Sequence, residues 1–410
     1  MGRSSNKKYK GFCVVPFIHM HGSEYKPCCV YDGQIGGYGS GHTKNLNSRS
    51  IHEHWQSVEY QDMRREFYKG ELPAGCNECA VADASGHDSK RTYSNEQFPR
   101  ETEYYYNNET LIPPVPIDYD FRLSHYCNLE CVMCGPHSSS AIEDRVNQNV
   151  PWNKRNKFPI AMKKYNKRPS VDYINYLKQN IDKVQRIMLA GGEPFLMPEV
   201  NEFVKWLYET NNSSHIDIRF LTNGTVFRSK WIDYLSSFKS TSINISLDGT
   251  GKILEYVRFP NKWNNVKKNL KLYAELNKHN NTYVSLNPTV HTLNLQGLHT
   301  VIRTAKQFNL KVRVSAVELA NDHDYLRLGR LKQHMRDHEA ELMEKELETI
   351  TIKDQAYGDK ENIKSFINRI RKTKFNLGKH GEQFKTVVKY WDTHKPKFLD
   401  VYPHLSYLLD

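Results

Sequence analysis

Residues 117–134 read IDYDFRLSHYCNLECVMC, and residues 184–194 read VQRIMLAGGEP. The first stretch is a predicted strand (117–124) that runs into Cys127, Cys131 and Cys134, spaced CxxxCxxC. The second is the next predicted strand (184–190), and it ends in Gly191-Gly192-Glu193-Pro194. Thiolate is a soft ligand suited to iron. Three thiolates on one short loop cap three irons of a cubane and leave the fourth iron open to a substrate group. The alternative is a structural zinc, whose fourth ligand would be His125 or His137.

Outward from this pair the pattern repeats. Strands are predicted at 117–124, 184–190, 216–224, 240–249, 282–291 and 310–319, with helices at 198–210, 230–238, 263–278 and 295–308. Such alternation implies an α/β chain with a parallel sheet and right-handed crossovers. Its six β units point to a partial (β/α)6 barrel rather than the closed eight-unit form. Upstream, 11–36 reads as a hairpin turning near Gly22, and 51–69 as a helix through Ile51, Trp55, Val58 and Phe67. A cysteine-rich loop follows, then a linker over 99–116 with Pro99, Pro113, Pro114 and Pro116. Downstream, 323–410 is charged and helical. The expected division is a cysteine-rich α+β module (1–110), the partial barrel (111–322) and a helical extension (323–410).

CxxxCxxC after one strand and GGEP at the end of the next resemble the signature of the radical S-adenosylmethionine (SAM) superfamily. Both motifs sit at C-terminal strand ends, where α/β barrels place their sites. The resemblance implies a [4Fe-4S] cluster on Cys127, Cys131 and Cys134, with SAM on its open iron. Gly191, Gly192, Glu193 and Pro194 would then meet the methionine moiety of SAM. Thr222-Asn223-Gly224 is similar to the third-strand TNG, and Ser246-Leu247-Asp248-Gly249 to the fourth-strand SLDG, with Ser246 towards the ribose. Arg258 stands where similar enzymes place an arginine on the SAM carboxylate; otherwise it is an exposed arginine at a helix end. Leu293 packs on adenine or simply in the core. Met133, before the third cysteine, occupies a position that is often aromatic in the family, and there the backbone makes most of the adenine contact. The chemistry implied is reductive cleavage of SAM to methionine and a 5′-deoxyadenosyl radical, which removes a hydrogen atom from a substrate. The electron would come from a donor such as flavodoxin or ferredoxin.

All eight cysteines fall within residues 1–134. Clustering of this kind in a chain without a secretory signal favours metal over disulfides. Cys13, Gly22, Pro27-Cys28-Cys29, the segment with Trp55 and Arg64, and Gly70-Glu71-Leu72-Pro73 before Cys76 and Cys79 resemble the auxiliary-cluster modules called SPASM and twitch. The resemblance implies an auxiliary [4Fe-4S] cluster on Cys13, Cys28, Cys76 and Cys79; zinc on the same four is the alternative. Cys28 is favoured over the adjacent Cys29. In similar enzymes the module follows the barrel, whereas here it precedes.

The net charge is +12. Residues 1–110 carry 13 Lys/Arg against 14 Asp/Glu, whereas 151–300 carry 22 against 11. Residues 150–170 hold seven Lys/Arg, no acid, and the rings of Trp152, Phe158 and Tyr165. This is either a solvated excursion or a single-stranded nucleic-acid surface. No apolar run is long enough to span a bilayer, and the expectation is a soluble, cytoplasmic chain. Gly2 and Ser5 weakly resemble a myristoylation site. The readings are a radical SAM enzyme acting on a peptide or protein, the same chemistry on a nucleic acid or nucleotide, and a non-catalytic zinc-stabilised nucleic-acid-binding protein.

Overall fold

A computed structural model describes residues 8–9, 11–21, 26–32, 50–84, 88–151, 170–279, 281–316, 325–378 and 380–410. Gly2, Ser5, the turn at Gly22 and the basic run 152–169, with Trp152, Phe158 and Tyr165, lie outside the described residues.

In chain order the first elements are α1 (Val15–Ile18), β1 (His19–His21), α2 (Ile51–Trp55), α3 (Val58–Tyr68), α4 (Asn77–Ala84), α5 (Lys90–Gln97) and α6 (Pro99–Asn107). Then come β2 (Asp118–Phe121), α7 (Ser140–Asn149), α8 (Ser170–Gln179), β3 (Arg186–Leu189), α9 (Pro198–Glu209) and β4 (Asp217–Thr222). Next are α10 (Trp231–Ser236), β5 (Ser240–Ile245), α11 (Gly251–Val257), α12 (Trp263–Leu276), β6 (Thr282–Leu286), β7 (Thr289–Val290), α13 (Leu298–Gln307), β8 (Lys311–Val312) and β9 (Ser315–Ala316). The extension carries α14 (Gln333–Thr349), α15 (Lys360–Lys372), α16 (Gly381–Trp391) and α17 (Phe398–Val401).

The fold is mixed α/β. Seven strands form one sheet in the order β1-β2-β3-β4-β5-β6-β8, and β7 and β9 form a separate parallel pair. The pairs β1–β2, β2–β3, β5–β6 and β6–β8 are parallel. In β4, Ile218, Phe220 and Thr222 are buried while Asp217, Arg219 and Leu221 are half-exposed; β5 alternates in the same way. That alternation is the mark of a sheet with one apolar face under helices. The described residues fall into two compact units. One draws on 1–123, 166–189 and 206–218, the other on 124–165, 190–205 and 219–410.

In the first unit several elements differ from the sequence expectation. The described residues of 11–36 begin as a helix rather than as the arm of a hairpin. Pro16 opens the short helix α1, and the buried β1 pairs in parallel with β2, His19 opposite Asp118 and His21 opposite Asp120. An antiparallel bridge, His21 to Lys26, is what the described residues keep of the return. A short apolar run does not reveal its period, so helix and strand read alike. The helix expected over 51–69 breaks at Ser57, whose side chain caps α3. The linker expected over 99–116 begins as α6, because Pro99 sits in its first turn, where a missing N–H costs nothing.

Arg64 of α3 lies wholly within this unit, 0% exposed. It donates to the carbonyls of Pro16 and Leu111 at 2.9 and 2.8 Å and lies over the Trp55 and Tyr60 rings at 4.4 and 5.0 Å. Burial holds its pKa down, to about 10. A planar fork can meet two carbonyls and a ring together; a point ammonium cannot. Arg64→Ala is therefore expected to cost roughly 3 kcal/mol, and Arg64→Lys to recover little of it. Denaturant unfolding of each variant checks this; wild-type midpoints would contradict it.

Candidate active site

The loop after β2 has little regular structure of its own, so other segments fix its shape. Ser139 caps α7 and donates to the Leu129 carbonyl at 2.6 Å. The Ser140 hydroxyl accepts the Cys127 N–H and donates to the Cys127 carbonyl, each at 3.2 Å. The Glu130 and Val132 N–H groups donate to the carbonyls of Phe259 and Val257 at 2.6 and 2.9 Å. The loop is thus strapped to α7 on one side and to the end of α11 on the other.

The GGEP segment meets the same loop backbone to backbone. A Cβ on Gly192 would stand 2.1 Å from the Tyr126 carbonyl oxygen, so glycine is required there by contact. Gly191 has φ +84°, in the left-handed region. The Glu193 N–H donates to the same Tyr126 oxygen at 2.8 Å. The Glu193 carboxylate is fully buried and accepts from Thr222 Oγ1 at 2.7 Å, Asn223 N at 2.6 Å and Phe195 N at 3.1 Å. Burial raises it to about 7 against these bonds, which favour the charged form. Pro194 is buried in the turn that Glu193 caps.

Side-chain donors are aimed at the sulfurs. Arg258 Nη1 donates to Cys131 Sγ at 3.8 Å, and Asn223 Nδ2 to Cys127 Sγ at 3.9 Å and to Asn128 Oδ1 at 3.0 Å. Arg258 is 7% exposed, so it is not the exposed helix-end arginine of the alternative reading. Its Nε lies 2.7 Å from Asp248 Oδ2, an ion pair whose angle falls short of a formed hydrogen bond. Asp248 Oδ1 also accepts the Thr289 N–H at 2.7 Å. Burial opposes the Arg258 charge, but Asp248 and the sulfurs of Cys131 and Cys134 outweigh it, so its pKa is raised. Burial pushes Cys127 up to about 12, whereas the Cys134 thiol donates to Cys131 and holds it down at about 7.

These bonds link Cys127, Asn223 and Glu193 in one set and Cys131 and Arg258 in another, Gly192 meets the loop by contact, and Cys134 joins through Cys131. Ser246 is tied in by its N–H to the Thr222 carbonyl at 2.8 Å. Met133 is half-exposed on the loop. Leu293 is outside this network, 2% exposed, with its N–H on His291 Nδ1 at 3.1 Å. Sequence reading missed four residues at the loop. Glu130, 6% exposed, is met by Arg145 Nε at 2.7 Å and His394 Nε2 at 3.3 Å, and the Lys395 ammonium donates to the Glu130 carbonyl. His394 and Lys395 lie far along the chain from the cysteines, and no local pattern marks them.

The second cysteine set lies within the first unit. Asn95 Oδ1 accepts the Val14 N–H at 2.9 Å and its Nδ2 donates to the Phe12 carbonyl at 3.0 Å, bracketing Cys13. Arg91 joins the Phe12 carbonyl at 3.1 Å to Asp83 of α4, the helix that carries Cys79, at 2.7 Å. The Asp32 N–H donates to the Gly75 carbonyl at 2.8 Å, tying the Cys28 turn to the CxxC segment. Cys13 is buried and pushed up, by burial first and then by Cys28, with Cys76 and Cys79 adding to it. Cys28 is buried and Cys29 exposed. No group of three or more His, Cys, Asp or Glu among the described residues is drawn tightly around one metal ion.

The donor chemistry fits iron–sulfur ligation in both places. The N–H two residues on favours the thiolate of Cys13, Cys28 and Cys127, from Val15, Val30 and Leu129 respectively. For Cys79 the Arg91 N–H and the Ser89 hydroxyl do the same. Donors onto sulfur stabilise a metal-bound thiolate.

The family model of the Radical SAM superfamily matches residues 121–305. The chain is 25% identical over 214 residues to the antilisterial bacteriocin subtilosin biosynthesis protein AlbA of Bacillus subtilis (strain 168). That match covers 46% of this chain and 42% of AlbA, less than half of the curated relative. Among solved structures it is similar to Streptococcus suis SuiB bound to S-adenosylmethionine (TM-score 0.40, 14% identity, 70% of this chain and 60% of that one). It is also similar to native anSMEcpe with bound AdoMet (TM-score 0.39, 18% identity, 62% of each chain).

Two outcomes follow for the sites. Gly192→Ala should cost the chain its loop geometry and about four irons, whereas Gly358→Ala, where a Cβ meets nothing within 4 Å, should load as wild type. Equal iron in both would contradict the contact argument. Cys28→Ala should likewise cost about four irons, whereas Cys29→Ala should lose none. Iron analysis after anaerobic reconstitution reads both pairs.

Proposed function

We propose that the chain is a radical SAM enzyme with one auxiliary iron–sulfur cluster and that its substrate is a peptide or protein. The observation that carries the first half is the loop of Cys127, Cys131 and Cys134, held against Gly192 and faced by Asn223 and Arg258. The superfamily match over 121–305 supports it. In this reading the cysteines hold a [4Fe-4S] cluster, which when bound supplies the electron that cleaves SAM reductively. The chain's own residues position and shield that chemistry. Gly191 and Gly192 offer backbone to the methionine moiety, and Arg258 offers a cation for its carboxylate. Glu193, buried among its own partners, keeps the Thr222–Asn223 turn in place beside them. Ser246 serves the ribose, and Met133 and Leu293 serve the adenine.

Cys13, Cys28, Cys76 and Cys79 hold the auxiliary cluster. The division by role is a cluster module (1–110), a SAM-cleaving segment (111–322) and an extension (323–410). A peptide or protein substrate is supported by AlbA, whose name places it in bacteriocin biosynthesis, and by the likeness of the N-terminal cysteines to SPASM and twitch modules. The nucleic-acid reading rests on residues 150–170, most of which lie outside the described residues. No helix among the described residues is long and apolar enough to cross a membrane. A flavodoxin or ferredoxin would deliver the electron.

The joint change Cys127→Ala, Cys131→Ala and Cys134→Ala is expected to abolish 5′-deoxyadenosine formation and to reduce iron from about eight to about four per chain. Chromatography of the nucleoside product with iron analysis tests this. Persistent SAM cleavage in that variant would overturn the site assignment.

A further inference from the structure

Lys395 is a lysine with 6% exposure, in the short connection between α16 and α17. Its ammonium donates to the Glu130 carbonyl, one residue before Cys131. The charge lies 5.3 Å from the Phe259 ring centroid and 5.7 Å from that of Trp391. Such a site is apolar, and an ammonium is costly there without an anion. Of the carboxylates nearby, Glu130 meets Arg145 and the His394 ring, and Asp248 meets Arg258. Burial lowers the Lys395 pKa to about 8, and Cys131, Glu130 and Cys134 act against that fall. The Glu130 carbonyl that this lysine meets is one residue from Cys131, so its charge sits on the backbone of the cysteine loop itself.

Resting on the proposed radical SAM reading, we infer that Lys395 is an electrostatic positioning residue for the iron–sulfur cluster of Cys127, Cys131 and Cys134, making that cluster easier to reduce. A cubane with three thiolates is anionic and gains one more negative charge when it takes an electron. A fixed cation on the loop that carries its ligands favours the reduced form over the oxidised form. The electron comes from a low-potential one-electron donor of the flavodoxin or ferredoxin class, which is oxidised by one electron as the cluster is reduced. Arg258 already has a carboxylate at 2.7 Å, so its field is partly cancelled, whereas the oxygen that Lys395 meets is the Glu130 backbone carbonyl. The helical extension thereby contributes a charge to a site whose ligands all come from one loop.

The test uses the full chain, anaerobically reconstituted, as Lys395→Met, Lys395→Gln and Lys395→Arg. Gln removes the charge and keeps a donor for the Glu130 carbonyl; Arg keeps the charge. The readout is a redox titration of the paramagnetic cluster signal that changes when SAM is added, with iron content measured alongside. At full iron, Met and Gln should lower the reduced-to-oxidised ratio roughly tenfold at the wild-type midpoint, equivalent to about 59 mV for one electron. Arg should titrate as wild type. Wild-type midpoints for both neutral variants at full iron would overturn the inference. If Met fails to load, Gln provides the measurement. If both neutral variants fail to load while Arg loads, Lys395 is a structural clamp and the inference is also overturned. Failure of the underlying reading is separate: wild-type protein would show no signal change with SAM and form no 5′-deoxyadenosine.

Discussion

The second unit is organised around one buried carboxylate. Glu193 accepts hydrogen bonds from Thr222, Asn223 and Phe195, and its own N–H reaches the Tyr126 carbonyl. A carboxylate removed from water is tolerated when its oxygens are satisfied by fixed donors. Those donors are the end of β4 and the turn that follows GGEP, so satisfying the charge holds three site segments in one place. Asn223 is positioned by this arrangement and in turn reaches Cys127. Gly192 adds the steric half, since its missing side chain lets the two backbones touch.

A second layer of charge lies beneath the cysteine loop. Asp248 with Arg258, and Glu130 with Arg145 and His394, are buried or partly buried pairs, the last bringing in a residue from far along the chain. Buried pairs of this kind add little net stability over apolar packing, but they fix geometry because a misplaced partner leaves a bare charge. For a loop with no hydrogen-bonded ladder of its own, that specificity is what the cysteine spacing needs. The helical extension is therefore part of the site, through His394 and Lys395.

The first unit solves a similar problem with polar side chains on backbone carbonyls. Arg64 ties α3 to Pro16 and Leu111, while Asn95 and Arg91 hold the peptide groups around Cys13. These residues come from helices, so the irregular cysteine turns borrow their rigidity. Arg64 was visible in sequence as part of a likeness, whereas Asn95 and Arg91 carried no signal, because a side chain that satisfies a distant carbonyl looks like any polar residue on a helix.

What the amino-acid order settles by itself is local. The strand–helix alternation after residue 117, the cysteine triplet and GGEP can be read because each is a pattern within a few residues, set at the end of its own strand. The same applies to the burial of alternate residues in β4 and β5. The tertiary structure decided whatever depends on a partner far along the chain. It paired β1 in parallel with β2, about a hundred residues on. It also brought Lys395 to the loop of Cys131. A strand needs a neighbour and a buried charge needs an opposite, and neither partner is specified by the residues next to it.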